Sequence, residues 1–290
     1  MQLLCVINPK AGAGNTNWQE LIDGWLKEHG HKADYYSIEP GTDCEAAITG
    51  RIEQCQPERV LVAGGDGTIK SVAEILIGKH LPMGIIAAGS ANGLARELGV
   101  PTDVNKGLEL ATTGKPTAID MIRVNDEYCI HLSDMGLNAR MLAYFEKDDR
   151  RGMWGYLRSV FKSWGRHTFM RLHIEADGQN IDCKALMVVI ANAARYGTGA
   201  VINPKGSMSD GLFEVVIVRR LKVSTLLNMM LRVKPFDPAN IEIWQCRKLK
   251  LTATRSYPFQ VDGEYRDKQR EVTATIEPGA IQVIIPEKGQ

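Results

Sequence analysis

Arg59-Val60-Leu61-Val62-Ala63 runs straight into Gly64-Gly65-Asp66-Gly67-Thr68, and the reading of that junction decides the fold. An apolar, β-branched run ends in three glycines around one aspartate, and a helical pattern follows from Thr68 to Ile77. Such a strand-to-helix turn points backbone N–H groups inward, and the helix N-terminus adds partial positive charge, so the junction suits a phosphate. An acidic residue there is repelled by its ligand unless something offsets it. Asp66 is therefore expected to help hold Mg2+ or to order the loop, with capping of its own helix as the plainer alternative.

The same arrangement recurs on either side. Gly89-Ser90-Ala91-Asn92-Gly93 follows the strand Gly84 to Ala88, and Asn8-Pro9-Lys10-Ala11-Gly12-Ala13-Gly14 follows the strand Leu3 to Ile7. A further strand is read at Lys32 to Ser37, and helices near Asn15 to Glu28, Asp43 to Cys55, Ser90 to Leu98 and Asp103 to Thr113. Strand then helix, repeated, predicts an α/β domain with an open, mostly parallel sheet and helices on both faces. Ligands of such sheets sit at the carboxyl ends of the strands, where these loops lie. Ser90 is a candidate phosphate contact, and Asn92 a candidate tie between neighbouring loops. Gly12-x-Gly14 lacks the third glycine of the dinucleotide fingerprint and no Walker motif occurs, which excludes the two commonest nucleotide signatures.

After Lys115-Pro116 the period changes. Ala118 to Val124, Glu127 to Leu132, Phe169 to Ala176, Ala185 to Ala191, Phe213 to Val218, Ile241 to Thr252 and Val272 to Ile276 are rich in β-branched and aromatic residues. Asn125-Asp126, Asp177-Gly178, Asp210-Gly211 and Pro278-Gly279 separate them as turns, which predicts an antiparallel β-sandwich-like domain. Helices are expected near Asn138 to Phe161 and Val223 to Leu231. The domains are placed at 1–120 and 121–290, with roughly the last 10 residues returning to the first.

The chain has 290 residues, room for two domains with cores of their own. Its net charge of +1 removes the usual reason to expect a nucleic-acid binder. The total hides a division: residues 1–120 carry 10 Lys+Arg and 15 Asp+Glu, whereas 121–290 carry 25 and 19. MQLLCVINPK has no basic n-region, and no uncharged stretch reaches the ~18 residues of a spanning helix, so a cytoplasmic protein without transmembrane segments is expected. Six scattered cysteines show no zinc spacing and read as reduced thiols, mostly in the core.

Taken in order, Asn8-Pro9-Lys10-Ala11-Gly12, Gly64 to Thr68, Gly89-Ser90-Ala91-Asn92-Gly93-Leu94-Ala95-Arg96, Ser133-Asp134-Met135-Gly136-Leu137-Asn138-Ala139, Ser209-Asp210-Gly211-Leu212-Phe213-Glu214-Val215 and Asp262-Gly263-Glu264 resemble the soluble bacterial diacylglycerol kinase family. Its catalytic domain is shared with sphingosine and ceramide kinases. The resemblance implies a nucleotide-binding α/β domain, a β-rich lipid-side domain and an active site in the cleft between them. It implies that Asn8, Gly64, Gly65, Asp66, Gly67, Thr68, Ser90 and Asn92 hold ATP, with Ser37 as a nucleotide-contacting hydroxyl. Glu264 matches the catalytic base, and Ser207, Asp210 and Leu212 match a bound-Mg2+ site in which Ser207 and Leu212 act through main-chain carbonyls. Many members carry Asp where this chain has Gly93, so no carboxylate role carries over to that position.

The implied reaction is Mg2+-dependent transfer of the ATP γ-phosphoryl group to a hydroxyl of a lipid such as diacylglycerol, a step in phospholipid biosynthesis. Phosphorylation of a soluble acceptor, as in NAD kinases, and a non-catalytic nucleotide- or lipid-binding regulator are the alternatives. The segment 147–171 combines Arg150, Arg151, Arg158 and Arg166 with Trp154, Tyr156 and Trp164 at helical spacing. It reads either as core or as a face for the inner surface of the cell membrane. Oligomeric state is open, a homodimer being the default.

Overall fold

A computed structural model describes residues 1–12, 16–146, 169–194, 202–204, 206–220 and 240–287, the side chains of 144–146 excepted. The chain divides into two compact units, Met1–Ile119 with Gly279–Gln290, and Asp120–Pro278. Gly14, most of the 147–171 segment and the expected helix near Val223 to Leu231 lie outside the described residues.

In the first unit β1 (Gln2–Ile7), β2 (Lys32–Ser37), β3 (Arg59–Gly64) and β4 (Met83–Ala87) form a parallel sheet in the order β4-β3-β1-β2. The end of β14 (Glu264–Ile284) extends it, Val283 pairing in parallel with Met83. Leu3, Cys5, Ile7, Leu61, Ala63 and Ile86 pack on one face with Ile22 and Leu26 of α1 (Trp18–Glu28) and Leu108 and Ala111 of α5 (Val104–Thr113). Strand side chains alternate, so the fully buried Leu4, Val6, Val60 and Val62 face the other side. There α2 (Cys44–Cys55) and α3 (Asp66–Leu76) pack against β1, β3 and each other. Helix starts follow their caps: Asn17, Asp43 and Asp103 accept the N–H of Glu20, Ala46 and Lys106 at 3.2, 3.0 and 3.0 Å. α1 therefore begins three residues later than the apolar pattern suggests.

The chain runs from β1 out to β2 and back across β1 to β3. The crossover direction thus reverses between β1 and β3, the point where sheets of this kind bind ligands.

The main strands of the second unit pair antiparallel. β7 (Leu132–Gly136), β10 (Met187–Ala191), β11 (Phe213–Val218), β12 (Ile241–Cys246), β13 (Lys248–Val261) and β14 lie in the order β12-β11-β10-β7-β13-β14. The hairpin of β8 (Met170–Ala176) and β9 (Gln179–Ala185) pairs with the first half of β13, and β7 pairs with its last residues. β5 (Pro116–Val124) pairs with β6 (Glu127–Cys129) and with β14. Phe213, Phe259, Tyr257, Met170 and the aliphatic side chains of these strands make the core.

Five expectations change. Glu127 to Leu132 and Ala185 to Ala191 are each divided between two strands, at Ile130-His131 and at Leu186. The run Ile241 to Thr252 is two strands, broken after Cys246. Pro278-Gly279 is no turn but lies inside β14, Gly279 at φ +60. β14 extends well beyond Val272 to Ile276, because its first eight residues are mostly charged and exposed and carry no apolar alternation. Of the helix expected near Asn138 to Phe161, α6 (Leu137–Glu146) is the described part.

Phe259 is 2% exposed in this core. Phe259→Ala should lower the free energy of unfolding by about 3–5 kcal/mol. In urea titrations this appears as a lower midpoint with an unchanged slope.

Candidate active site

Three loops of the first unit meet at the carboxyl ends of their strands. Asn8 follows β1; its backbone N–H donates to the Ala63 carbonyl at 2.9 Å and its Nδ2 to Thr68 Oγ1 at 3.0 Å. Its Oδ1 accepts the Lys10 N–H at 3.0 Å, shaping its own loop. Gly12 adopts φ +90, and a Cβ there would lie 3.1 Å from the Ala88 carbonyl, so this loop also reaches the end of β4. Ser37 is exposed at the end of β2, in register with Ile7. The switch point thus gathers Asn8, Ser37 and the Gly64 to Thr68 loop.

Asp66 joins the second and third loops. Its carboxylate accepts the N–H of Gly93 at 3.0 Å and of Leu94 at 2.9 Å, at the start of α4 (Gly93–Glu97). Of the roles expected for Asp66, the geometry shows loop ordering, and the helix it caps is the neighbouring one. Its own helix, α3, starts at Gly65 without a side-chain cap, leaving the first-turn N–H groups to an outside acceptor. Asn92, at φ +50, donates to the Ala87 carbonyl of its own strand at 3.4 Å, so the tie between loops is Asp66 rather than Asn92. Asn92 Oδ1 is buried without a hydrogen-bond partner among the described residues. Glycine is required at Gly89, where a Cβ would come within 2.5 Å of Gly65 Cα. Ser90 is exposed at the tip.

In the second unit Asp262 and Gly263, at φ +49 and +85, form the two-residue turn joining β13 to β14. Both central residues at positive φ make this a type I′ hairpin, which sets Glu264 opposite Val261. The Asp262 carboxylate accepts three backbone N–H groups, from Ile130, His131 and Leu132, at 3.0, 2.9 and 3.1 Å. Gln260 Oε1 accepts the Gly263 N–H at 2.7 Å. Glu264 is exposed; its Oε2 takes a hydrogen bond from Arg266 Nη2 at 2.6 Å, and Arg266 Nε reaches Glu127 at 2.9 Å. The guanidinium holds one oxygen of Glu264, while Oε1 has no partner among the described residues.

Asp134 and Asp120 escaped the sequence reading. Asp134, fully buried, accepts from Asn138 Nδ2, the Ala139 N–H and Gln260 Nε2, anchoring the start of α6 to β13. Asp120 accepts the Gly211 N–H at 2.7 Å, and its own N–H donates to the Met208 carbonyl at 2.7 Å, fixing the Ser207 to Leu212 loop. Nothing in spacing alone marks either residue, although Asp134 lies within one of the motifs.

The Ser207 to Leu212 loop fits a hydrated Mg2+. Asp210 is exposed; its Oδ1 accepts the Leu212 N–H at 3.1 Å and its Oδ2 has no partner among the described residues. One carboxylate beside main-chain carbonyls is the all-oxygen donor set that Mg2+ takes while keeping several waters. Among the described residues no three His, Cys, Asp or Glu side chains cluster as a self-sufficient metal cage.

The family profile of the diacylglycerol kinase catalytic domain matches residues 2–124, and that of the YegS C-terminal NAD kinase beta sandwich-like domain matches residues 134–285. The chain belongs to the YegS-like lipid kinase family. A protein of Enterobacter sp. (strain 638) named "Probable lipid kinase YegS-like" is 30% identical over 227 residues, covering 73% of this chain and 74% of that one. An uncharacterised protein of Synechocystis sp. is 29% identical over 287 residues, covering 89% of this chain, which spans 64% of that protein. The crystal structure of a diacylglycerol kinase from Bacillus anthracis shares the fold, with a TM-score of 0.74 at 16% identity over 98% of this chain and 97% of that one. This YegS-like chain is thus a kinase by family. Among its described residues no helix is long and apolar enough to cross a membrane.

The family motif around Asp210 contains a buried carboxyl group. Glu214, 1% exposed, is hydrogen-bonded by Asn203 Nδ2 and by Gln245 Nε2. Burial pushes its carboxyl above the usual glutamate range, partly offset by those hydrogen bonds.

Two outcomes are expected. Asp66→Ala removes two charge-assisted bonds between loops and should cost about 1.5–3 kcal/mol of stability, read from urea unfolding. Between the ordinary and the raised Glu214 pKa, the folded state keeps a proton that the unfolded chain has released, so stability falls as pH rises through that window. Glu214→Gln removes this component. The thermal midpoint of wild type minus that of the variant should therefore be larger near pH 4.5 than near pH 8.

Proposed function

We propose that this chain transfers the γ-phosphoryl group of ATP to a hydroxyl of a membrane lipid, diacylglycerol being the leading acceptor. The observation that carries the reading is the bond from Asp66 to the N–H groups of Gly93 and Leu94. It fastens the glycine loop after β3, which lies at the switch point next to Asn8, to the glycine loop after the neighbouring β4. The uncapped first turn of α3 offers its N–H groups to phosphate oxygens, and the absence of a side chain at Gly67, where a Cβ would meet nothing within 4 Å, leaves that backbone open to them. Thr68 and Asn8, already bonded to each other, border the same site, with Ser37 at the nucleotide end. Asn92 Oδ1 is an acceptor for a hydroxyl or amino group of the nucleotide.

Phosphoryl transfer asks a protein mainly for position and electrostatics. Glu264 Oε1 takes the proton from the acceptor hydroxyl while that oxygen bonds to the γ-phosphorus and the bond from phosphorus to the β–γ bridging oxygen breaks, releasing ADP. Arg266 keeps the Glu264 carboxylate oriented through its other oxygen. Mg2+, held through Asp210 and the carbonyls of Ser207 and Leu212, supplies neutralising charge when bound. The excess of basic residues over acidic ones in 121–290 favours work at an anionic, cytoplasmic-facing membrane surface.

Radiolabelled ATP offered with diacylglycerol, phosphatidylglycerol, ceramide, sphingosine and NAD tests the acceptor. Label is expected on a lipid hydroxyl, and label on NAD alone would overturn the reading. Glu264→Gln should bind ATP as wild type does and lose about 10²- to 10⁴-fold in kcat. Wild-type turnover in that variant would remove Glu264 as the base.

A further inference from the structure

The second unit contains a cavity of about 500 Å3 that the kinase reading does not use. Its lining includes Arg140 of α6, Arg255, Ser256 and Tyr257 of β13, and Tyr265 and Lys268 of β14, with no carboxylate among the described lining residues. The volume falls within the range of about 300–1,000 Å3 typical of small-molecule sites. Arg255 and Lys268 set two positive charges on the wall of one concavity, an arrangement that attracts an anion.

The backbone has been bent to make this wall. Between the pairs Thr252 with Glu271 and Tyr257 with Gln269, β13 advances five residues while β14 advances two. Arg255 and Ser256 lie in that bulge, and bulges of this kind re-aim side chains beside binding sites. Arg255 is exposed and stacks over the Tyr257 ring at 5.2 Å from its centroid. Neither Arg255 nor Lys268 has a carboxylate partner among the described residues. Tyr257 is 3% exposed, lines the cavity, and its hydroxyl has no hydrogen bond among the described residues. Glu264 does not line the cavity, although its neighbour Tyr265 does, consistent with successive strand residues facing opposite sides.

We propose that this cavity binds a phosphate-bearing anion of headgroup size. Guanidinium forks match phosphate oxygens in pairs, the Lys268 ammonium adds a point charge, and the hydroxyls of Ser256 and Tyr257 donate to the remaining oxygens. The two tyrosine rings give the ligand's carbon portion an apolar wall. The source of the phosphate is either a free phosphate compound or the headgroup of an anionic phospholipid.

The full-length chain carrying Arg255→Glu and Lys268→Glu separates these sources and tests the site. Both side chains are exposed and outside the catalytic assignment, and unaltered thermal unfolding without ligand checks their folding. Inorganic phosphate and glycerol 3-phosphate are titrated by calorimetry. Co-sedimentation uses phosphatidylcholine vesicles with and without phosphatidylglycerol. Phosphate bound at the glycine loops of the first unit is untouched by these changes and cancels in the difference.

Loss of at least about tenfold in affinity for the soluble phosphates, with Tyr257→Phe losing about threefold, supports the site and a free phosphate source. Loss of binding to phosphatidylglycerol vesicles, beyond that caused by Lys248→Glu on the same strand outside the cavity, supports the site and a lipid headgroup source. Equal behaviour of wild type and the double variant with both probes, or no saturable difference between them, overturns the proposal.

Discussion

Two hydrogen bonds from one carboxylate, Asp66 to the N–H groups of Gly93 and Leu94, hold the first unit's ligand-binding edge in shape. Without them the loops after β3 and β4 would be separate turns. With them, the backbone of one becomes the wall of the other, close enough that Gly89 tolerates no side chain. The negative charge that looked out of place in a phosphate loop is consumed by the positive end of a neighbouring helix. What remains to meet an anion is the uncapped start of α3.

The same device recurs in the second unit. Asp262 and Asp120 each turn a carboxylate toward backbone N–H groups of a segment distant in sequence, and Asp134 caps the start of α6 five residues on while Gln260 Nε2 of β13 is its distant donor. In each case the side chain stands in for a strand partner or a helix cap that local sequence cannot supply. Charged acceptors make stronger hydrogen bonds than neutral ones, and their geometry leaves the chain few alternative paths. The motifs that mark the family are in large part these clamps and the glycines beside them.

This explains how much was legible beforehand. β1, β3 and β4 could be drawn to within a residue or two from apolar runs, since parallel strands buried on both faces write themselves as continuous hydrophobicity. The glycine loops were legible from composition. The partners of Asp66 were not, because Gly93 and Leu94 are brought to it by the fold and donate through the main chain, which every residue possesses. Asp134 and Asp120 were passed over for the same reason, an aspartate in sequence giving no sign of whether it is buried. β14 was seen only in its apolar middle. Its charged first residues include Glu264 and Arg266, which are strand because of the Asp262-Gly263 turn and the pairing with β13, not because of their own preferences.

β14 begins beside β13 in the second unit and ends beside β4 in the first. On a ribosome, the first unit's sheet therefore emerges early but keeps the flank of β4 open until Val283 arrives, after the whole second unit has been synthesised. An uncovered strand edge is a template for the wrong partner. The nascent first unit is a form that a chaperone has reason to shield, and long-range closure of this kind makes folding slow relative to a domain built only from neighbours in sequence.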